Sequence, residues 1–262
     1  MNVSETHAAA AVIAGLFGLP LGSFAGVVTD RVPRSESVVQ PRSHCTSCGR
    51  TLGAADNLPV VSYLLLRGRC RACKAKIPPR DLTIEIATAL AFAAIAWRLP
   101  TVWAIPSYCA LVVGLVALSA IDLEHQRLPT GVLYWTIAVA TPLLVLGSAV
   151  SDRWDSLIPA VIGAAAGFLV FFGIWFAVPR GMGFGDVRLA GLCGGWLGWL
   201  GASVIPVGFL AAFVLAGVPA IAMVVTRKAD RKTKIAFGPY LALGTVVAIC
   251  FGRTIAHGWA SI

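Results

Sequence analysis

The sequence predicts an all-α polytopic membrane protein of about eight transmembrane helices that carries one cytoplasmic zinc-binding loop. Three observations predict it. Of the 262 residues, 58% are hydrophobic and only 13% charged, which is too apolar for a soluble domain of this size. The polar residues fall in short segments between apolar runs, with one long exception. Within that exception, four of the seven cysteines form two closely spaced pairs. A net charge of +9 would suit a nucleic-acid partner, but the basic residues lack an interleaved aromatic platform. They read instead as membrane-orientation signals, and no nucleic acid is expected.

The first apolar run, 8–29, is long enough to cross about 30 Å of hydrocarbon as a helix. The residues before it include Glu5 and no Lys or Arg, which argues against a cleavable signal peptide. Arg31 and Arg34 follow directly, so the N-terminus is expected outside. Residues 30–81 are the one long polar segment and hold ten basic residues: Arg31, Arg34, Arg42, Arg50, Arg67, Arg69, Arg71, Lys74, Lys76 and Arg80. Such a loop stays in the cytoplasm. Further apolar runs follow at 82–98, 102–121, 131–150, 157–178, 189–203, 204–225 and 236–254. The break near Val204 rests on Gly201, Ser203 and Pro206. With alternating spans, eighteen of the 21 basic residues fall inside, among them Arg127, Arg180, Arg188, Arg227, Lys228, Arg231, Lys232 and Lys234; only Arg98, Arg153 and Arg253 fall outside. The expected division is therefore a first transmembrane helix (1–29), a cytoplasmic loop (30–81) and a seven-helix membrane domain (82–262).

Inside the loop, Cys45-Thr-Ser-Cys48 and Cys70-Arg-Ala-Cys73 are two C-x-x-C pairs separated by 21 residues. Two thiolates three residues apart grip one face of a tetrahedral metal, and two such pairs close it with no open position. A structural zinc held by Cys45, Cys48, Cys70 and Cys73 is expected. The alternative, two disulfides, is disfavoured by a reducing cytoplasm. His44 is read as solvated or lying behind the ligands. The remaining loop is too polar for a large core, so metal binding would supply much of its folding free energy. Cys109, Cys193 and Cys250 lie in apolar runs, where a small hydrophobe is ordinary.

Two acids stand out against the apolar background. Asp186 lies in Pro179-Arg-Gly-Met-Gly-Phe-Gly-Asp-Val-Arg188, at the edge of hydrocarbon, where an ionisable group is costly and marks function. Gly181, Gly183 and Gly185 can adopt backbone angles closed to other residues and admit a substrate strand closely. Asp122, in Ile121-Asp-Leu-Glu-His-Gln-Arg-Leu-Pro129, ends the third span as Asp186 begins the sixth, so both fall at the inner face. Carboxylates that meet there cannot both ionise cheaply and share a proton. The ionised one would activate water against a peptide carbonyl while its protonated partner hydrogen-bonds the carbonyl oxygen. Glu124 is a rival for one role but lies farther into the loop. His125 and Arg127 read as inner-face polar residues. Glu85, opening the second span, is either an interfacial anchor or a candidate cofactor-binding residue.

Taken together, Gly22-Ser-Phe24 with Arg31 and Pro33, the two C-x-x-C pairs, Asp56-Asn-Leu-Pro59, Arg67-Gly-Arg-Cys70, Ile121-Asp122 with Leu128-Pro129, Gly181-Met-Gly-Phe-Gly-Asp186, and Phe237-Gly-Pro-Tyr240 with Leu243-Gly244 resemble the type IV prepilin peptidases. These are the bacterial G-x-G-D aspartyl proteases. The resemblance implies that Asp122 and Asp186 are a catalytic pair in a seven-helix membrane aspartyl protease domain. It also implies removal of a basic leader from prepilin or pseudopilin precursors at the cytoplasmic face of the bacterial inner membrane. In many members the new N-terminus is then methylated with S-adenosylmethionine. Gly26, Thr46, Thr130 and the run Ile77-Pro-Pro-Arg-Asp-Leu82 depart from the usual pattern, and the first and last of these lie in the part associated with methyl transfer. Two other readings compete: a proton-coupled transporter and a non-catalytic zinc-loop assembly protein of a secretion or pilus system. The transporter predicts midplane acids on broken or repeated helices, whereas these acids lie at span ends.

Overall fold

The structure, a computed structural model, describes residues 3–178, 181–226 and 236–260. Pro179, Arg180 and the basic segment holding Arg227, Lys228, Arg231, Lys232 and Lys234 lie outside the described residues, so their side of the membrane stays an expectation. The described chain is helical, and its only β pairing consists of two isolated bridges in the metal loop, His44 with Thr51 and Arg69 with Lys76.

Among the described residues nine α-helices follow in order: α1 (Val3–Arg31), α2 (Val61–Leu65), α3 (Pro79–Arg98), α4 (Ile105–His125), α5 (Thr130–Val150), α6 (Leu157–Ala177), α7 (Phe184–Leu200), α8 (Val204–Val225) and α9 (Gly238–Ala260). Apart from the short α2, each takes up one of the eight expected apolar runs. Six of the described helices are long and apolar enough to cross a membrane. The other two fall short for separate reasons. Helix α3 opens with Arg80, Asp81 and Glu85 and closes with Arg98. The 17 residues of α7 reach only about 25 Å at 1.5 Å per residue, yet from Val187 onward α7 is almost wholly buried, so neighbouring helices rather than lipid surround it. The break expected near Val204 is real: α7 ends at Leu200, Gly201 takes φ 141°, and α8 starts at Val204.

Glycines set how closely the helices approach. Gly163 on α6 and Gly194 on α7 face each other so tightly that a Cβ on either would strike the other's carbonyl oxygen, and Gly198 meets the Pro159 carbonyl in the same way. Van der Waals packing of such seams holds helices together where lipid is as apolar as the side chains. On the other flank, Gly18 and Gly22 of α1 pack against the α3 backbone, where a Cβ would come within 2.6 Å of Ala89 Cα and 2.7 Å of Glu85 Cα. Helices α4, α5 and α7 are bolted by buried hydrogen bonds at one end. Tyr108 donates to the Trp196 carbonyl at 2.6 Å, the Trp196 indole donates to Ser107 Oγ at 2.9 Å, and the Trp199 indole donates to Ser148 Oγ at 2.8 Å. Helix α9 packs against both α4 and α7. At the end opposite the bolts lie Asp122, Asp186 and the metal loop.

Candidate active site

Asp122 occupies the last turn of α4, and Asp186 the first turn of α7. Both side chains are buried, at 6% and 8% exposure, and both line one cavity of about 970 Å3 with Pro33, Leu128, Gly183 and Gly185. Their carboxylates are close enough for the charge of Asp122 to act on Asp186. Each has one oxygen anchored by the first N–H groups of a helix. Gly238, the first residue of α9, donates its backbone N–H to Asp122 Oδ2 at 3.0 Å, and Gly183, preceding α7, donates to Asp186 Oδ2 at 3.1 Å. Helix N-termini carry unpaired donors and partial positive charge, which favour a carboxylate there. The other oxygen of Asp186, Oδ1, is buried without a hydrogen-bond partner.

The glycines do not take the backbone angles that only glycine favours. Gly183 has ordinary extended angles (φ −77°, ψ 147°), and neither Gly181 nor Gly185 has positive φ. What is needed is room. A Cβ on Gly185 would sit 2.8 Å from Leu128 Cβ, and one on Gly183 would sit 3.3 Å from Asp186 Oδ2. Leu128, from the turn after α4, also lies against Gly238, whose own added Cβ would stand 2.9 Å from Asp122 Oδ2. One leucine thus wedges the three segments carrying Asp122, Asp186 and the Gly238 donor.

The sequence signal for the role of Gly238 is Gly-Pro opening an apolar run, since proline favours the start of a helix and the first N–H groups of a helix have no intrahelical acceptor. Arg80 was counted only as a charge. Its Nη1 donates to both Glu124 oxygens at 3.0 Å, its Nε lies 3.3 Å from Asp81 Oδ1, and its Nη2 lies 3.8 Å from Asp30. Glu124 is therefore held by an arginine rather than merely solvated, two residues beyond Asp122. His125 and Arg127 line the same cavity. Thr130, which departs from the family pattern, accepts a 2.9 Å hydrogen bond from Arg188 across the mouth of the site.

The loop brings all four expected cysteines together. Their sulfurs lie within 4.8 Å of one another, and Cys45 Sγ is 3.8 Å from Cys73 Sγ. Both pairs are built alike. The Cys45 N–H donates to the Arg50 carbonyl and the Cys70 N–H to the Ala75 carbonyl, both at 2.9 Å. Each turn closes on a residue of positive φ, Gly49 at 70° and Lys74 at 59°. The backbone N–H groups of Ser47 and Cys48 bring the Cys45 thiol down to about 6. Although the Ala75 N–H favours its thiolate, burial and the neighbouring thiols push Cys73 up to about 11. Crowded thiols that oppose one another's ionisation are the set a divalent cation relieves. Among the described cysteines none forms a disulfide.

Glu85 lies apart from the aspartates, buried at 8% exposure in a second cavity of about 760 Å3 between α1, α3 and the metal loop.

Comparison with known proteins agrees with this layout. Residues 16–99 match the Bacterial Peptidase A24 N-terminal domain, spanning the metal loop and Glu85, and residues 109–221 match the Type IV leader peptidase family, spanning both aspartates. The chain is 32% identical to the prepilin leader peptidase/N-methyltransferase of Pseudomonas aeruginosa over 92% of its own length and 90% of that protein's. It is 34% identical to the protein of that name from Pseudomonas putida, over 93% and 91%, and 38% identical to one from Burkholderia pseudomallei, over 85% and 71%. No solved structure matches. Two family matches in tandem, one over the loop and one over the aspartates, and relatives matched along nearly their whole length place the chain in the type IV leader peptidase family.

Proposed function

We propose that this protein is a membrane aspartic endopeptidase that removes the basic leader from prepilin-like or pseudopilin precursors at the cytoplasmic face of the inner membrane, and that it methylates the N-terminus so created. The observation that carries the reading is the shared cavity of Asp122 and Asp186, with one oxygen of each tied to a helix N-terminus and Asp186 Oδ1 left free. Two such acids hold one proton between them. The ionised carboxylate takes a proton from water as its oxygen attacks the scissile carbonyl, and the protonated partner hydrogen-bonds the carbonyl oxygen as the tetrahedral intermediate forms. Collapse breaks the C–N bond, and the departing amine takes up a proton. Gly183 and Gly185, which line the cavity with Gly181 just before them in the chain, supply the narrow wall against which the substrate backbone lies. A precursor with a charged leader in the cytosol and an apolar helix in the bilayer puts its scissile bond at this depth.

The loop's four thiols fit zinc: at a Zn–S distance of about 2.3 Å, tetrahedral geometry sets sulfurs about 3.8 Å apart, the separation found for Cys45 and Cys73. Zinc there is structural. The second cavity has the size and mixed lining of a small-molecule site, and Ser23, Asn57 and Tyr63 are the residues that would hold S-adenosylmethionine, which supplies an electrophilic methyl group.

The test uses purified protein and a pilin-like precursor. Asp122→Asn and Asp186→Asn are each expected to lose leader removal by at least about 1,000-fold while melting like the parent protein. Retained cleavage in either folded variant removes that acid from the reaction.

A further inference from the structure

Among the described residues three carboxylates are buried: Asp122, Asp186 and Glu85. The cleavage chemistry uses two, and the third stands in a built environment of its own. Gly22 of α1 presses on the Glu85 backbone, and Ser23 lines the same cavity as its carboxylate. The Val60 N–H donates to Glu85 Oε2 at 2.7 Å. To aim that N–H, Val60 takes φ 60° and ψ −50°, a backbone region that β-branched residues avoid and that is held only where the surroundings over-determine it.

What Glu85 lacks is a cation. Buried charges are ordinarily paired, yet among the described residues no Lys or Arg forms an ion pair with it. Two of the basic residues that line this cavity are engaged elsewhere. Arg31, lining the same cavity, gives its guanidinium to the carbonyls of Ser37 and Pro41 at 2.8 and 2.6 Å. Arg80 is shared by Asp30, Asp81 and Glu124. A carboxylate has about four acceptor positions, and the Val60 N–H leaves capacity toward the cavity. This cavity adjoins the aspartate cavity, because Arg34 and Glu124 line both.

Cleavage at the aspartates creates a cation that was absent before: the α-ammonium of the new N-terminus. We infer that Glu85 is the ammonium-binding residue of the second cavity, receiving that N-terminus from the neighbouring site and accepting the proton its nitrogen must lose before it is methylated. The inference rests on the proposed cleavage reaction for its ligand, a peptide with a free, apolar-flanked N-terminus, and it assigns that ligand to a site the aspartates do not touch.

The experiment titrates detergent-solubilised wild-type protein with two synthetic peptides that reproduce a cleaved pilin-like N-terminus, one with a free α-amino group and one N-acetylated, by calorimetry near neutral pH. The free amine is expected to bind about tenfold more tightly, the scale of one hydrogen bond to a charged group. Glu85→Gln keeps the shape and an acceptor for the Val60 N–H but is expected to erase the preference, and Glu85→Asp to restore part of it. Equal binding of both peptides to the wild type overturns the inference, whatever the variants do, and so does a preference that survives in folded Glu85→Gln. Leader removal and transfer of a labelled methyl group, read separately on the wild type, show which part of the proposed function holds. An amine preference without methyl transfer supports the binding site and sinks the methylation reading, whereas cleavage without any amine preference sinks this inference alone.

Discussion

In the metal loop, the ligands come from two stretches of four residues whose own turns aim the thiols, and the two halves repeat one backbone pattern. In the aspartate cavity, the acids belong to different helices, and neither is positioned by its own neighbours alone. Asp122 is fixed by the N–H of Gly238 from α9, and the segments are set by Leu128 wedged between Gly185 and Gly238. The loop is ordered by chemistry it recruits, the cavity by packing already paid for in the bundle. One should fail when metal is removed, and the other when helix spacing changes.

Metal removal should give the largest effect. Structural zinc binding in small cysteine sites is worth on the order of 10 kcal/mol, so chelation or Cys70→Ser is expected to unfold the loop outright, seen as loss of amide protection over 43–77. Protection over α6 and α7 should persist. Simultaneous loss in both regions would erase the distinction drawn here. A side chain in the glycine seam is the converse test. Gly194→Val drives a branched group into the Gly163 backbone, an overpacking cost of about 3 kcal/mol, and should lower the melting temperature and cleavage while the cysteine site still takes up metal.

Gly238→Ala is gentler. Its methyl would stand 2.9 Å from Asp122 Oδ2 and turn that carboxylate, so cleavage should fall about 10- to 100-fold with the melting temperature nearly unchanged. An unaffected rate would mean that the Gly238 donor does not position the acid.

The same contrast explains what could be read from the sequence. The cysteine spacing states its geometry locally, and hydropathy marks the helices, so the metal loop, the apolar runs and the two unusual acids were all legible. The wedge of Leu128, the Gly238 donor and the grip of Arg80 on Glu124 were not, because each joins segments distant in the chain. The glycines before Asp186 do not use the free backbone angles expected of them: a missing side chain offers both free angles and free space, and sequence does not distinguish them. Each of the eight apolar runs holds a helix, six of them long and apolar enough to cross a membrane, but a run's hydropathy does not tell lipid from protein, and α7 is wrapped by protein.

The central claim is that Asp122 and Asp186 act as one unit holding a single proton. The dependence of leader removal on pH tests it most directly. A pair that needs one acid protonated and the other ionised is inactive when both are protonated and when both are ionised, so the rate should rise to a maximum and fall on either side. A rate that climbs to a plateau and never declines at high pH, on a precursor whose own groups do not titrate there, would show that no shared proton is required.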